Sequence, residues 1–161
     1  MEDFDTDNAG NVIAIYDREI GIDPASLSGK DRSYIYDAAH HLIAEVDDSG
    51  NIVYEYVYLN GERLAAVDAE GAVFFYINDH LGTPQKVVDS SGTLVWDADY
   101  MPFGEVAVNV ESVGNQFRFP GQYYDAETGL HYNYHRYYEL RIGRYIRIDP
   151  IGIEGGINLY S

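Results

Sequence analysis

The chain has 161 residues, and 46% of them are hydrophobic, enough to bury a core and to exclude wholesale disorder. With 27 acidic against 10 basic side chains its formal charge is −17, which repels a phosphate backbone or an anionic membrane surface and argues against nucleic-acid binding and membrane insertion. The absence of Cys excludes a disulfide scaffold but leaves the compartment open, and no basic leader or apolar run of membrane-spanning length is visible.

In chain order, residues 22–32 open on Asp23-Pro24 and close near Gly29, a pattern that suits one short helical turn or a loop insertion. From there the pattern is β. Aromatic residues recur at Tyr16, Tyr36, Tyr56, Tyr76 and Trp96, 20 residues apart, and Asp follows three of them. A second series, Gly10, Gly50, Gly71 and Gly92, has Asp within the three preceding residues. Twenty residues fit two strands of about six residues and two turns, so each unit reads as a hairpin. The segments 34–37 and 42–46 flank a turn at 38–41, where His40-His41 reads as a turn variant. The next unit, 52–58 and 64–67, turns at Asn60-Gly61 and again at 69–71. The 16 Tyr against 6 Phe and one Trp suit half-buried sheet faces, where rings pack and hydroxyls find partners.

Residues 130–137 read as one strand carrying His131 and His135. On a strand, i and i+4 stand more than about 13 Å apart, which argues against a shared zinc ion. Gly155-Gly156 lacks the surroundings of a nucleotide loop and reads as a turn. No cofactor is expected.

The motif order from Asn78 onward is specific. It runs Asn78-Asp79-His80-Leu81-Gly82-Thr83-Pro84, Tyr100-Met101-Pro102-Phe103-Gly104, then Arg118-Phe119-Pro120-Gly121-Gln122-Tyr123-Tyr124-Asp125 with Glu127-Thr128-Gly129-Leu130. It continues through Arg136-Tyr137-Tyr138 and Gly143-Arg144-Tyr145 to Asp149-Pro150-Ile151-Gly152 and Asn158-Leu159-Tyr160. With the tyrosine-aspartate repeat before it, this order resembles the bacterial Rhs/YD-repeat family and its repeat-associated core. The resemblance implies an all-β fold of tandem antiparallel hairpins, repeats over 1–105 and a core module over 106–161, forming part of a spiralling shell.

It further implies that the shell encloses and presents a C-terminal toxin, in a secreted or cell-surface protein such as a type VI secretion effector or polymorphic toxin. The implied partners are the rest of the shell, that toxin and secretion components, with self-association through open edge strands as a further expectation. The family's core acts as an intramolecular aspartic autoprotease. Asp149 matches the first of its two aspartates, and Arg144 and Arg147, on the approach to it, are the candidate supporting arginines. The second aspartate and the scissile bond belong to a further Asp-Pro-x-Gly-Leu that would follow Ser161. Two local departures stand out: Glu139 to Ile142 replace a proline-containing turn, which should loosen it, and Ile153 replaces a leucine. Asp149 can also serve only as a turn former, and the tyrosine-rich face can alternatively be read as a carbohydrate-binding module.

Overall fold

The computed structural model describes residues 3–6, 12–16, 32–126, 128–134, 136–150, 158 and 160. The described residues are all-β, with strands that pair antiparallel and no helix among them. The helical turn considered for 22–32 lies, apart from Arg32, outside the described residues, as do Ile153 and the Gly155-Gly156 turn.

The chain forms two compact units, Met1–Phe75 and Tyr76–Ser161. In the first, β1 (Asp3–Thr6) pairs with β2 (Val12–Tyr16). Strands β3 (Arg32–Tyr36), β4 (Leu42–Asp47), β5 (Ile52–Leu59) and β6 (Glu62–Asp68) then follow in sequence order, up to β7 (Val73–Asn78), within which the unit boundary falls. In the second unit β8 (Pro84–Asp89), β9 (Leu94–Tyr100) and β10 (Val106–Glu111) continue the order, and a separate sheet runs β11 (Tyr123–Asp125), β12 (Leu130–Asn133), β13 (Arg136–Glu139), β14 (Arg144–Tyr145). Residue 106 begins the second strand of the β9–β10 hairpin, so the meander runs on to Glu111 before the chain changes sheet.

One turn chemistry drives this folding. Asp37, Asp47, Asp68, Asp79 and Asp89 each donate N–H to the carbonyl four residues on, at 2.9–3.1 Å, while the residue three on donates back to the Asp carbonyl at 2.9–3.0 Å. The same Asp turns its Oδ1 inward to accept the amides two and four residues on, at 2.8–3.0 Å. The fourth residue must take a positive φ, which Gly50, Gly71, Gly82 and Gly92 adopt at no steric cost. His40 stands in that place in the first of these turns, at φ 64. Asp47, Asp68 and Asp89 stand 21 residues apart, and Tyr36, Tyr56, Tyr76 and Trp96 fall on β3, β5, β7 and β9.

Strand alternation then sorts the side chains. In the first unit, Tyr34 faces Glu45, Glu45 faces Tyr54, and Tyr56 faces Ala66, all on one side of the sheet. Glu45 is 1% exposed; its Oε1 accepts the Tyr56 hydroxyl at 2.6 Å and its Oε2 meets the Arg32 guanidinium. Two partners offset the desolvation that would otherwise expel a carboxylate from this position. In the second unit Trp96 is fully buried opposite Val87, and Phe117 packs edge-on against Tyr76 and Tyr123.

Gly104 in the β9–β10 turn admits the Phe119 ring, to which an added Cβ would come within 3.1 Å, and Leu140 at 3.5 Å. The tip of the meander is thereby seated on the β13–β14 turn of the four-stranded sheet.

Candidate functional site

Residues 130–137, expected as one strand, fold back on themselves. Asn133 pairs with Arg136 across a two-residue connection in which Tyr134 takes φ 56, so β12 and β13 form a tight hairpin. The period-2 alternation looked the same on either side of the reversal, and only pairing reveals it. The strand spacing between His131 and His135 therefore does not apply, and His135 lies outside the described residues.

The β13–β14 turn, expected to be loose without its proline, is closed in another way. Gly143, at φ 62, donates to the Glu139 carbonyl at 2.9 Å, and Arg141 binds the Glu139 carboxylate at 2.8 and 3.0 Å.

This hairpin brings Arg136 to Asp149. Arg136 Nη2 stands 3.1 Å from Asp149 Oδ2, and the two side chains are 16% and 20% exposed. The guanidinium carbon lies 3.6 Å from the centre of the Tyr145 ring, a cation–π contact in a partly dry setting. Asn133 Nδ2 in turn donates to the Tyr145 hydroxyl. Three neighbouring elements thus fix the plane in which one carboxylate is held: Asn133 locates the ring, the ring locates the guanidinium, and the guanidinium locates Asp149.

Of the arginines expected beside Asp149, Arg144 is exposed in β14 opposite Glu139, and Arg147 is exposed in the bend that follows. In the sequence Arg136 stands out only as part of the Arg136-Tyr137-Tyr138 motif. Its signal was alternation: Arg136 and Tyr138 share a face of β13, and Tyr138 faces Tyr145 across the ladder, but this becomes usable only once the register is known.

A second buried polar group lies between the β11–β12 hairpin and the segment before it. His131 is 1% exposed, its Nδ1 is 2.8 Å from Gln122 Oε1, and its ring meets Tyr124 edge-on. Burial, reinforced by the positive charge of Arg118, pushes its pKa down to about 4. Arg118, 7% exposed, donates Nη1 to the carbonyls of Asn115 and Phe117, both at 2.8 Å, and lies over the Tyr124 ring. Burial lowers its pKa as well. This group locks the entry to the four-stranded sheet, and its hydrogen bonds are directed inward. Among the described residues no cluster of three or more His, Cys, Asp or Glu side chains could hold a metal ion.

Comparison with known proteins bears on the hairpin run and on the family. A family model described as RHS protein matches residues 73–110, the stretch from β7 through β10. Double-stranded DNA deaminase toxin A of Burkholderia cenocepacia is 32% identical over 98% of the chain, and toxin protein Tse5 of Pseudomonas aeruginosa is 41% identical over 57% of it.

The chain belongs to the Rhs family.

It spans 12% of the first of these Rhs relatives and 7% of the second. A crystal structure of TcdB2-TccC3 without its hypervariable C-terminal region matches 99% of the chain with a TM-score of 0.56, over 9% of its own length. At 19% identity this is a likeness of fold. It agrees with an all-β Rhs chain built from antiparallel strands.

Proposed function

We propose that this Rhs chain is a segment of shell wall and plug whose work is to enclose and present a toxic segment carried by the same longer polypeptide. The reading is supported by the hairpin run, which leads from β3 to β10 without a helix among its described residues, and by the likeness of nearly the whole chain to a small part of much longer toxins. The rest of the shell and the toxin are then its partners, and secretion or display at the bacterial surface its setting. No helix among the described residues is long and apolar enough to cross a membrane. A density map of the full-length polypeptide showing a closed propeller around this segment would overturn the wall reading.

We further propose that Asp149 is one carboxylate of an intramolecular peptide hydrolase, and that Arg136 is the arginine that seats it. The carrying observation is the 3.1 Å ion pair held flat on Tyr145. Hydrolysis of this kind needs a carboxylate to take a proton from water as the oxygen adds to the scissile carbonyl. A second carboxylate protonates the departing nitrogen as the C–N bond breaks. Asp149 would supply one of these groups and the polypeptide after Ser161 the other. The test is to express the chain with the downstream sequence of its own gene and follow cleavage on a gel. Asp149→Asn is expected to leave the polypeptide whole, and equal cleavage in parent and variant removes Asp149 from the mechanism.

Glycan recognition by the tyrosine face has less behind it. The Tyr56 hydroxyl is engaged by Glu45 and the Tyr58 hydroxyl by the Leu42 carbonyl, so these groups face inward partners.

A further inference from the structure

β14 is the outermost strand of the four-stranded sheet, and among the described strands none flanks its outer edge. Amides alternate in direction along a strand. Ile146 donates to the Tyr137 carbonyl at 2.9 Å, on the side of β13, which turns the Tyr145 amide to the open edge. There it donates to the carbonyl of Tyr160 at 3.1 Å. Tyr160 is itself held locally, its amide donating to Asn158 Oδ1 at 3.2 Å, a side-chain cap of the kind that fixes a turn.

Tyr145 is therefore engaged at two points. Its ring carries the Arg136 guanidinium that pairs with Asp149, and its amide holds the chain at Tyr160. A polypeptide continuing past Ser161 starts its course one residue from a bond to the very residue on which that ion pair rests. Without this bond, a flexible stretch as long as that from Asp149 to Tyr160 would leave its ends about 18 Å apart on average, free to sample a wide volume.

We propose that Tyr160, capped by Asn158, positions the cleavage assigned to Asp149: its carbonyl on the Tyr145 amide fixes the root of the downstream segment, and so the place where the second carboxylate and the scissile bond arrive. The role rests on the reading of Asp149 as a hydrolase carboxylate. It contributes no atom to the reaction. It raises the concentration of the downstream segment at the site, as a short tether does.

The chain extended with the downstream sequence of its own gene tests this, with cleavage followed over time on a gel. Asn158→Ala removes the cap and is expected to slow cleavage about three- to tenfold, the worth of one hydrogen bond. Its urea midpoint should stay that of the parent, since Asn158 is exposed. Asn158→Asp offers the same acceptor oxygen and is expected to restore the rate. In the 161-residue chain, the Tyr145 amide should exchange with solvent faster in Asn158→Ala than in the parent, with the Ile146 amide unchanged. Equal rates in parent and Asn158→Ala, a slowing matched by a lower urea midpoint, no recovery in Asn158→Asp, or a Tyr145 amide indifferent to the substitution each overturns the positioning role and leaves Asp149 in place. Cleavage that is absent from the parent, or that survives Asp149→Asn, is the separate result that removes the hydrolase and this role with it.

Discussion

Arg136 lies flat on Tyr145, its guanidinium carbon 3.6 Å from the ring centre, and from that position it reaches Asp149 at 3.1 Å. The ring and the carboxylate hold one cation between them, so the three side chains should respond to mutation as a unit. Arg136→Met removes both contacts, the ion pair to a partly buried carboxylate and the stack on Tyr145, at a cost of about 2–3 kcal/mol in urea unfolding. Arg136→Lys keeps the charge but loses the planar stack, and about half of that loss is expected. A Met variant as stable as the parent would show that the cluster holds nothing together.

Glu45 depends on Tyr56 in the same sense. Its carboxylate is 1% exposed and accepts the Tyr56 hydroxyl at 2.6 Å. Tyr56→Phe leaves the ring in place and removes one donor from a buried charge, which costs about 1.5–3 kcal/mol. The urea midpoint should fall with an unchanged slope; a shift within error would mean that Glu45 is satisfied without the Tyr56 hydroxyl.

The turn series makes a paired prediction. His40 is held at φ 64 in a place that Gly fills in four sister turns, so His40→Gly should raise stability by about 0.5–1 kcal/mol. Gly50, at φ 80, has nothing within 4 Å of an added Cβ, so Gly50→Ala tests backbone strain alone and should cost about 1 kcal/mol. Thermal melts of both variants check the signs, and two shifts in the same direction would refute the argument.

Stability should also fall on mild acidification because of His131. Its pKa is pushed from 6.5 to about 4 in the fold, so between these values the unfolded chain binds the extra proton. The contribution is fully present above pH 6.5, declines as pH falls towards 4, and does not change further below that. The slope from this one group is at most about 1.4 kcal/mol per pH unit. Urea titrations across this range should show the decline in the parent and a flatter profile in His131→Gln. A His131 ring that titrates near 6.5 by NMR would contradict the burial argument.

How far the sequence carried can be seen by comparing Asp47 with Asp149. The turn at Asp47 was legible because its requirements are local: a side chain that caps two amides within four residues, and a glycine that tolerates positive φ. Wherever that pattern recurs the chain must reverse, and with alternating strands between reversals an antiparallel all-β meander follows. Membership of the Rhs family was legible for the same reason, since its motifs are largely turns and strand edges.

What the sequence alone did not decide is which distant side chains meet. Arg144 and Arg147 are nearer to Asp149 along the chain, yet Arg136 also meets it, because the β12–β13 hairpin sets β13 beside β14. The burial of Glu45 and His131 belongs to the same class, as does the reversal at Tyr134 hidden within an even alternation. A turn is fixed by the bonds and dihedrals of a few adjacent residues, whereas a site between strands depends on register. Register is set by the packing of whole strands, and only the assembled fold contains that information.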